Sequence, residues 1–209
     1  MIPTAGTSPW PDAAAVLERE PLARHTTFAV GGPADYFAVA ESASELAELL
    51  SVSASAGIPT TVLGEGSNVL IGDDGVRGLV IQNRCAHVES LPESRLRAES
   101  GILMGRLAQW AAQNGLAGLE FGVGIPGTLG GSVFGNAGCF GVEIKDVLVQ
   151  AEIWTGGDHA TYFNDDLEFA YRRSALQTMP GSPVVLEAVI QATEDKPDAI
   201  RQRMTELSR

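Results

Sequence analysis

The sequence predicts an α+β fold: strands alternate with two or three helices, without the strict strand–helix repeat of a doubly wound sheet. Three observations lead there. Short runs of β-branched and aliphatic residues, such as 79–82 and 184–192, are bounded by glycine or proline turns. Three segments place apolar residues at helical spacing: Leu46, Leu49 and Leu50; Leu103, Leu107, Trp110 and Ala111; Ile200, Met204 and Leu207. Between them stand two glycine-rich stretches that neither helix nor strand would hold, because each glycine inside such an element costs about 0.5–1 kcal/mol against alanine.

Residues 1–20, rich in Pro and Ala, read as a loose lead-in. In 21–40, β-branched and aromatic residues surround Gly31-Gly32-Pro33, which predicts two short strands broken by a turn. Ser42-Ala43-Ser44-Glu45 has the spacing of a capping box, so a helix starts there and closes at Gly57. A strand over 58–63 runs into Gly64-Glu65-Gly66-Ser67-Asn68, and another leaves through Val69, Leu70 and Ile71. After the strand at 79–82, residues 88–91 and 95–99 read as a hairpin, and a second helix stops at Asn114-Gly115. Strands over 147–154 and 160–163 are joined by Gly156-Gly157, with Asn164 capping a helical turn around Leu167. The strand at 184–192 precedes Pro197, which is suited to the first turn of the last helix.

A chain of 209 residues makes one large domain or two small ones and can bury a sizeable core. Its 44% hydrophobic content includes no run that would span a bilayer, and its first residues lack the basic and apolar segments of a signal peptide. A cytoplasmic residence is therefore expected. Fourteen Lys and Arg against 26 Asp and Glu give a net charge of −12, which argues against nucleic acid or anionic membrane as a partner. A phosphate ligand must then be held by backbone N–H groups and a few placed side chains. Cys85 and Cys139 are too few for a disulfide framework and their spacing marks no metal site. Cys139 reads as a buried small residue, and the isolated His87 and His159 as solvent-facing. Nothing in the sequence sets the oligomeric state.

Residues 115–141 hold ten of the 24 glycines, yet Leu116, Leu119, Phe121, Val123, Ile125, Leu129, Val133 and Phe140 are threaded through them. A flexible linker would be polar. The pattern implies an ordered backbone that turns repeatedly, as a tight core loop or as a nest of N–H groups approaching an anion. Gly64 to Asn68 offers the same bare N–H groups plus the short polar side chains of Ser67 and Asn68. It has neither the lysine of a Walker A loop nor the following helix of a dinucleotide fingerprint, and by itself the same residues could serve a β-turn.

Four segments taken together, HTTFAVGGPAD, VLGEGSNVLIGDDGVRGLVI, GLAGLEFGVGIPGTLGGSVFGNAGCFG and LEFAYRRS, resemble the UDP-N-acetylenolpyruvoylglucosamine reductases, flavoenzymes of bacterial peptidoglycan synthesis. They occur in the family's order, and the match covers residues 21–209. The resemblance implies an FAD-binding, PCMH-type (vanillyl-alcohol oxidase-like) fold, with FAD clamped non-covalently between two α+β subdomains, 21–84 and 85–209. It implies that Gly64, Glu65, Gly66, Ser67 and Asn68 hold the FAD diphosphate. Gly127, Thr128, Gly130, Gly131, Asn136, Ala137 and Gly138 match the second flavin-contacting loop. Tyr171-Arg172-x-Ser174 matches the motif whose arginine, here Arg172, stabilises the enolic intermediate; Tyr171 is implied beside the substrate, and Ser174 either braces the loop or touches the ligand. Hydride is implied to pass from NADPH, by way of FAD, to the enolpyruvyl ether of a UDP-sugar.

The family's serine proton donor and late glutamate lie on a further substrate-binding domain and have no match in this sequence. That departure implies an FAD-binding portion with little or no turnover of its own. Two alternatives stay open: another flavin oxidoreductase of the same fold, and a non-catalytic flavin-binding module. GIPGTLGG followed by NAG and Tyr-Arg-x-Ser favours the reductases over the first. A covalent flavin on His25 is not expected, since its neighbours match the family's ordinary HTTF segment.

Overall fold

The structure is a computed structural model that describes residue 10 and residues 15–209. A first sheet has the order β1-β2-β4-β3, from β1 (Leu17–Glu18), β2 (Ala34–Ala40), β3 (Thr60–Leu63) and β4 (Val76–Asn83). β2 and β3 both run parallel to β4 because helix α1 (Ala43–Ser55) crosses over between them. Both faces of β4 are covered, and its side chains alternate accordingly: Leu79 and Ile81 meet Leu46, Leu49 and Leu50 of α1, while Val80 joins Leu22, Phe37 and Leu63. Each buried α1 leucine contributes about 1.5–3 kcal/mol of transfer free energy. The helix begins as expected, with Ser42 accepting the Glu45 N–H at 3.2 Å; the Glu45 carboxylate returns to the Glu41 N–H at 2.9 Å, one residue before the cap.

The second sheet is antiparallel throughout, with β5 (Val88–Leu91), β6 (Arg95–Glu99), helix α2 (Met104–Gln113), the short β7 (Leu116–Ala117), helix α3 (Leu129–Phe134) and the two-residue β8 (Gly138–Cys139) and β9 (Val142–Glu143) leading towards its centre. β10 (Leu148–Thr155), β11 (Asp158–Phe163) and β12 (Val184–Gln191) complete it in the order β11-β10-β12-β6-β5. β13 (Thr193–Glu194) pairs with β7, and helix α4 (Pro197–Leu207) follows, with its proline in the first turn. Met104, Leu107 and Ala111 of α2 pack on Leu96, Ala98 and Ala188 of the sheet, and Ile200 and Met204 of α4 cover Ala108 and Ala112 on its other side.

The two sheets share a core. Leu186 of β12 and Trp154 of β10 pack into the cluster under α1. Glu99 joins the same halves through polar contacts: one carboxylate oxygen accepts the Ala43 N–H at the start of α1, the other the His87 N–H. A carboxylate at a helix N-terminus is favourably placed in the dipole field. Among the described residues, no helix is long and apolar enough to cross a membrane.

Several expectations are corrected. In the lead-in, Leu17–Glu18 pairs with β2 and Trp10 is buried with its ring 5.4 Å from Tyr36; residues 1–9 and 11–14 lie outside the described set. The first of the two strands expected in 21–40 does not form: Leu22–His25 is a 3-10 turn and 27–30 are exposed, because no neighbouring strand offers them a ladder. Val69 to Ile71 is not a strand either. The chain is pinned by Gly32 N–H to Gly72 O at 2.9 Å and must turn before entering β4, so Leu70 is left 80% exposed. Finally, Asp166 rather than Asn164 caps the turn at 164–167, accepting the Phe163 N–H, while the Asn164 amide spans to Lys145 O and Leu148 O.

Glu187 lies across from Glu99 on one side and Glu152 on the other. Burial first, and then these acidic neighbours, push its carboxyl above the usual carboxylate range against the pull of Arg97. A raised carboxyl pKa favours the fold only while the group is protonated, so its contribution declines as pH rises through the folded value. In urea titrations, Glu187→Gln is therefore expected to gain stability relative to the parent between about pH 4 and pH 7; an unchanged difference would refute this. Burial also pushes the Cys85 thiol up to about 12, whereas Cys139 is half-exposed. A thiol reagent at mildly alkaline pH should titrate one cysteine in the native chain and two after denaturation.

Candidate functional site

The Gly64–Asn68 loop leaves the C-terminal end of β3 and lies against two other segments. Gly66 has φ +67°, and a Cβ there would stand 2.3 Å from His25 O. Only glycine fits, and its carbonyl accepts the Thr27 N–H at 3.1 Å. On the other side, a Cβ on Gly64 would stand 2.6 Å from Thr128 Oγ1, and one on Gly127 2.8 Å from Ser67 Oγ. The two glycine-rich stretches of the sequence thus touch, backbone against short hydroxyl side chains.

The second stretch is held rigidly. Met104 N–H donates to Gly127 O at 3.0 Å, Leu129 N–H to Ile102 O at 2.9 Å and Gly130 N–H to Ser100 O at 2.8 Å. The buried Ser132 hydroxyl donates back to Thr128 O. Among the described residues, the N–H groups of Glu65, Gly66, Ser67, Asn68, Gly127 and Thr128 find no acceptor. Six N–H groups without an acceptor, on two loops that meet, offer the kind of donors that a diphosphate requires. No lysine or arginine comes from either loop, so the backbone itself would neutralise the ligand. Gly131 is exposed at the start of α3, beside this seam.

Asn136, Ala137 and Gly138 are placed differently. The Ala137 N–H donates to Ser132 O and its carbonyl accepts from Ile144; Gly138 pairs with Glu143 in β8 and β9. The Asn136 side chain is wholly buried and bonded to Glu143, Ala170 and Lys145.

Tyr171 and Arg172 form the tip of a tight turn closed by reciprocal backbone bonds between Ala170 and Arg173 at 3.0 Å. Arg172 is left-handed at φ +55°, uncommon for a non-glycine residue. Its guanidinium lies 5.9 Å from the centroid of the exposed Tyr171 ring and makes no ion pair among the described residues. Ser174 resolves as a brace: it is fully buried and its hydroxyl donates to Phe134 O at 2.6 Å. Both His25 ring nitrogens are committed, to Gln82 and Glu20, with the ring 4.2 Å from Phe37. Glu143, Lys145 and Ser100 were not singled out by sequence. No local pattern marks them, since each matters through a partner distant in the chain.

The FAD binding domain family model matches residues 34–160. A UDP-N-acetylenolpyruvoylglucosamine reductase from Phenylobacterium zucineum is 44% identical over 197 residues, covering 92% of this chain and 65% of its own. One from Rubrobacter xylanophilus is 43% identical over 188 residues, covering 90% and 63%. The crystal structure of the reductase MurB from Thermus caldophilus aligns with TM-score 0.77 at 34% identity, over 93% of this chain and 68% of that one. The chain belongs to the UDP-N-acetylenolpyruvoylglucosamine reductase family. It spans about 65% of the length of the first of these curated reductases. A solvent-stable cholesterol oxidase (TM-score 0.64, 15% identity) and an alkyldihydroxyacetonephosphate synthase (0.60, 18%) share the fold alone. The PCMH-type α+β architecture and the reductase resemblance are thus borne out, and the reductase family displaces the alternative of another oxidoreductase of this fold.

The seam between the loops is directly testable. Gly64→Ala should lower the urea midpoint by forcing Thr128 aside, and adding Thr128→Ala should recover most of the loss. The expected coupling is about 0.5–3 kcal/mol; strictly additive effects would mean that the loops do not touch.

Proposed function

We propose that this chain is the FAD-binding portion of a UDP-N-acetylmuramate dehydrogenase, which uses NADPH to reduce the enolpyruvyl ether of a UDP-sugar for peptidoglycan synthesis. The observation that carries this reading is the close approach of the two glycine-rich loops, glycine backbone against the Thr128 and Ser67 hydroxyls, with six N–H groups in these loops that find no acceptor among the described residues. We assign the FAD diphosphate to Gly64, Glu65, Gly66, Ser67, Asn68, Gly127 and Thr128, with Gly130 and Gly131 beside the ring system. In this reading residues 21–84 and 85–209 are the two subdomains that clamp the cofactor.

Bound FAD supplies the hydride-transfer chemistry, and the protein supplies placement and field. Arg172, presented on a braced turn and making no ion pair among the described residues, is the cation positioned to stabilise negative charge developing on the carboxylate-conjugated enol. Tyr171 lies beside it as a substrate contact. Free cysteines at both positions accord with a cytoplasmic setting.

The chain incubated with FAD and desalted should keep absorption bands near ~370 and ~450 nm, and NADPH should bleach the second. In a full-length reductase carrying this segment, Arg172→Ala should lower kcat by about 10²–10³-fold while the flavin stays bound. A folded but colourless protein would refute the cofactor assignment, and undiminished turnover would refute the role of Arg172.

A further inference from the structure

Asn136 sits near the end of the second glycine-rich stretch at φ +43°, a conformation that asparagine tolerates better than most residues. Its side chain is entirely buried. Nδ2 donates to Glu143 Oε2 at 3.1 Å and to Ala170 O at 3.0 Å, and Oδ1 accepts the Lys145 N–H at 3.1 Å. Both donor hydrogens are used, and the amide has no atom facing a ligand. Its three partners come from the segment around β9 and from the base of the turn that carries Arg172.

Ala170 is one of the two residues that close that turn. Its other flank is tied to the same stretch, through Ser174 Oγ to Phe134 O at 2.6 Å, and Gln177 Nε2 donates to Arg172 O at 3.2 Å. The turn is therefore fastened at both ends to residues 134–136. Glu143 is also the acidic side chain whose charge interacts with Arg172, yet it is engaged by Lys145 at 2.6 Å and by the Asn136 amide. An arginine beside an unengaged carboxylate would fold onto it and lose the field that it can offer to a ligand.

The geometry assigns to Asn136, with Glu143 and Lys145 behind it, the positioning of Arg172: the amide fixes the turn, and the ion pair keeps Glu143 from capturing the guanidinium. These are positioning residues, acting through Arg172, and the inference rests on the proposed role of Arg172 at the site where flavin and enol meet. Asn136 then serves the cofactor at one remove rather than by contact.

The test uses the FAD-loaded chain and its midpoint potential, which a merely structural amide would not move. Arg172→Ala should lower the potential, because reduced flavin loses a nearby cation. Asn136→Gly, which keeps the left-handed backbone accessible, should lower it in the same direction. The Asn136→Gly, Arg172→Ala double variant should go no lower than Arg172→Ala alone. Hydrogen exchange at the Ala170 and Arg173 amides, which needs no cofactor, should speed up in Asn136→Gly. Lys145→Ala, at an exposed position, should also lower the potential by releasing Glu143 onto Arg172; Glu143→Gln in the same chain should restore it. A lower melting temperature in Asn136→Gly with the potential at the parent value, or an unmoved potential in Lys145→Ala, would overturn the positioning role alone. An Arg172→Ala chain with the parent potential would overturn both this inference and the placement of Arg172 at the flavin.

Discussion

Close approach of glycine backbone to its neighbours, without room for a Cβ, is the constraint from which the candidate site follows. Gly66 meets the carbonyl of His25, Gly64 meets Thr128, and Gly127 meets Ser67. Three segments that begin in different parts of the chain are thereby brought within a side chain's width of each other. N–H groups of both loops are left without an acceptor among the described residues, and donors of this kind suit an anion. The net charge of −12 sharpens the point, since attraction for a diphosphate has to be local in a molecule whose overall field is repulsive.

Rigid surroundings keep this arrangement from collapsing. Ser100, Ile102 and Met104 hold the second loop by hydrogen bonds from the end of β6 and the start of α2. The first loop continues β3 from a sheet whose central strand is buried on both faces. Where the chain is least regular it is therefore most heavily anchored, which is how a loop can present free donors in a fixed geometry.

Much of this was legible in the sequence, for identifiable reasons. The hairpin at 88–99 and the helices at 43–55 and 197–207 carry period and caps within one window of residues, and they appear where local chemistry puts them. The segments 26–30 and 69–71 have strand-like composition but no neighbour to pair with, and pairing is a tertiary fact that composition does not encode. At the site, the glycines of the two loops were visible because glycine's rarity in regular structure makes a dense run conspicuous. Asn136 was visible as part of that run, but its use as an internal brace was not: that depends on Glu143 and Ala170, which no spacing rule connects to it. Ser174 illustrates the same limit, since bracing and ligand contact draw on the same hydroxyl chemistry.

The shared cluster beneath α1, where Trp154 and Leu186 of one sheet are wedged among Leu46, Leu49 and Leu50 beside the other, bears on motion. Separating the sheets would expose that cluster and break both bonds of Glu99. The relative orientation of the two sheets is therefore tied to the packing of a common core. A bulky ligand must enter along the rim of loops, and whatever opening it requires must come from exposed segments such as 27–30 and the Leu70 bend, whose displacement uncovers little apolar surface.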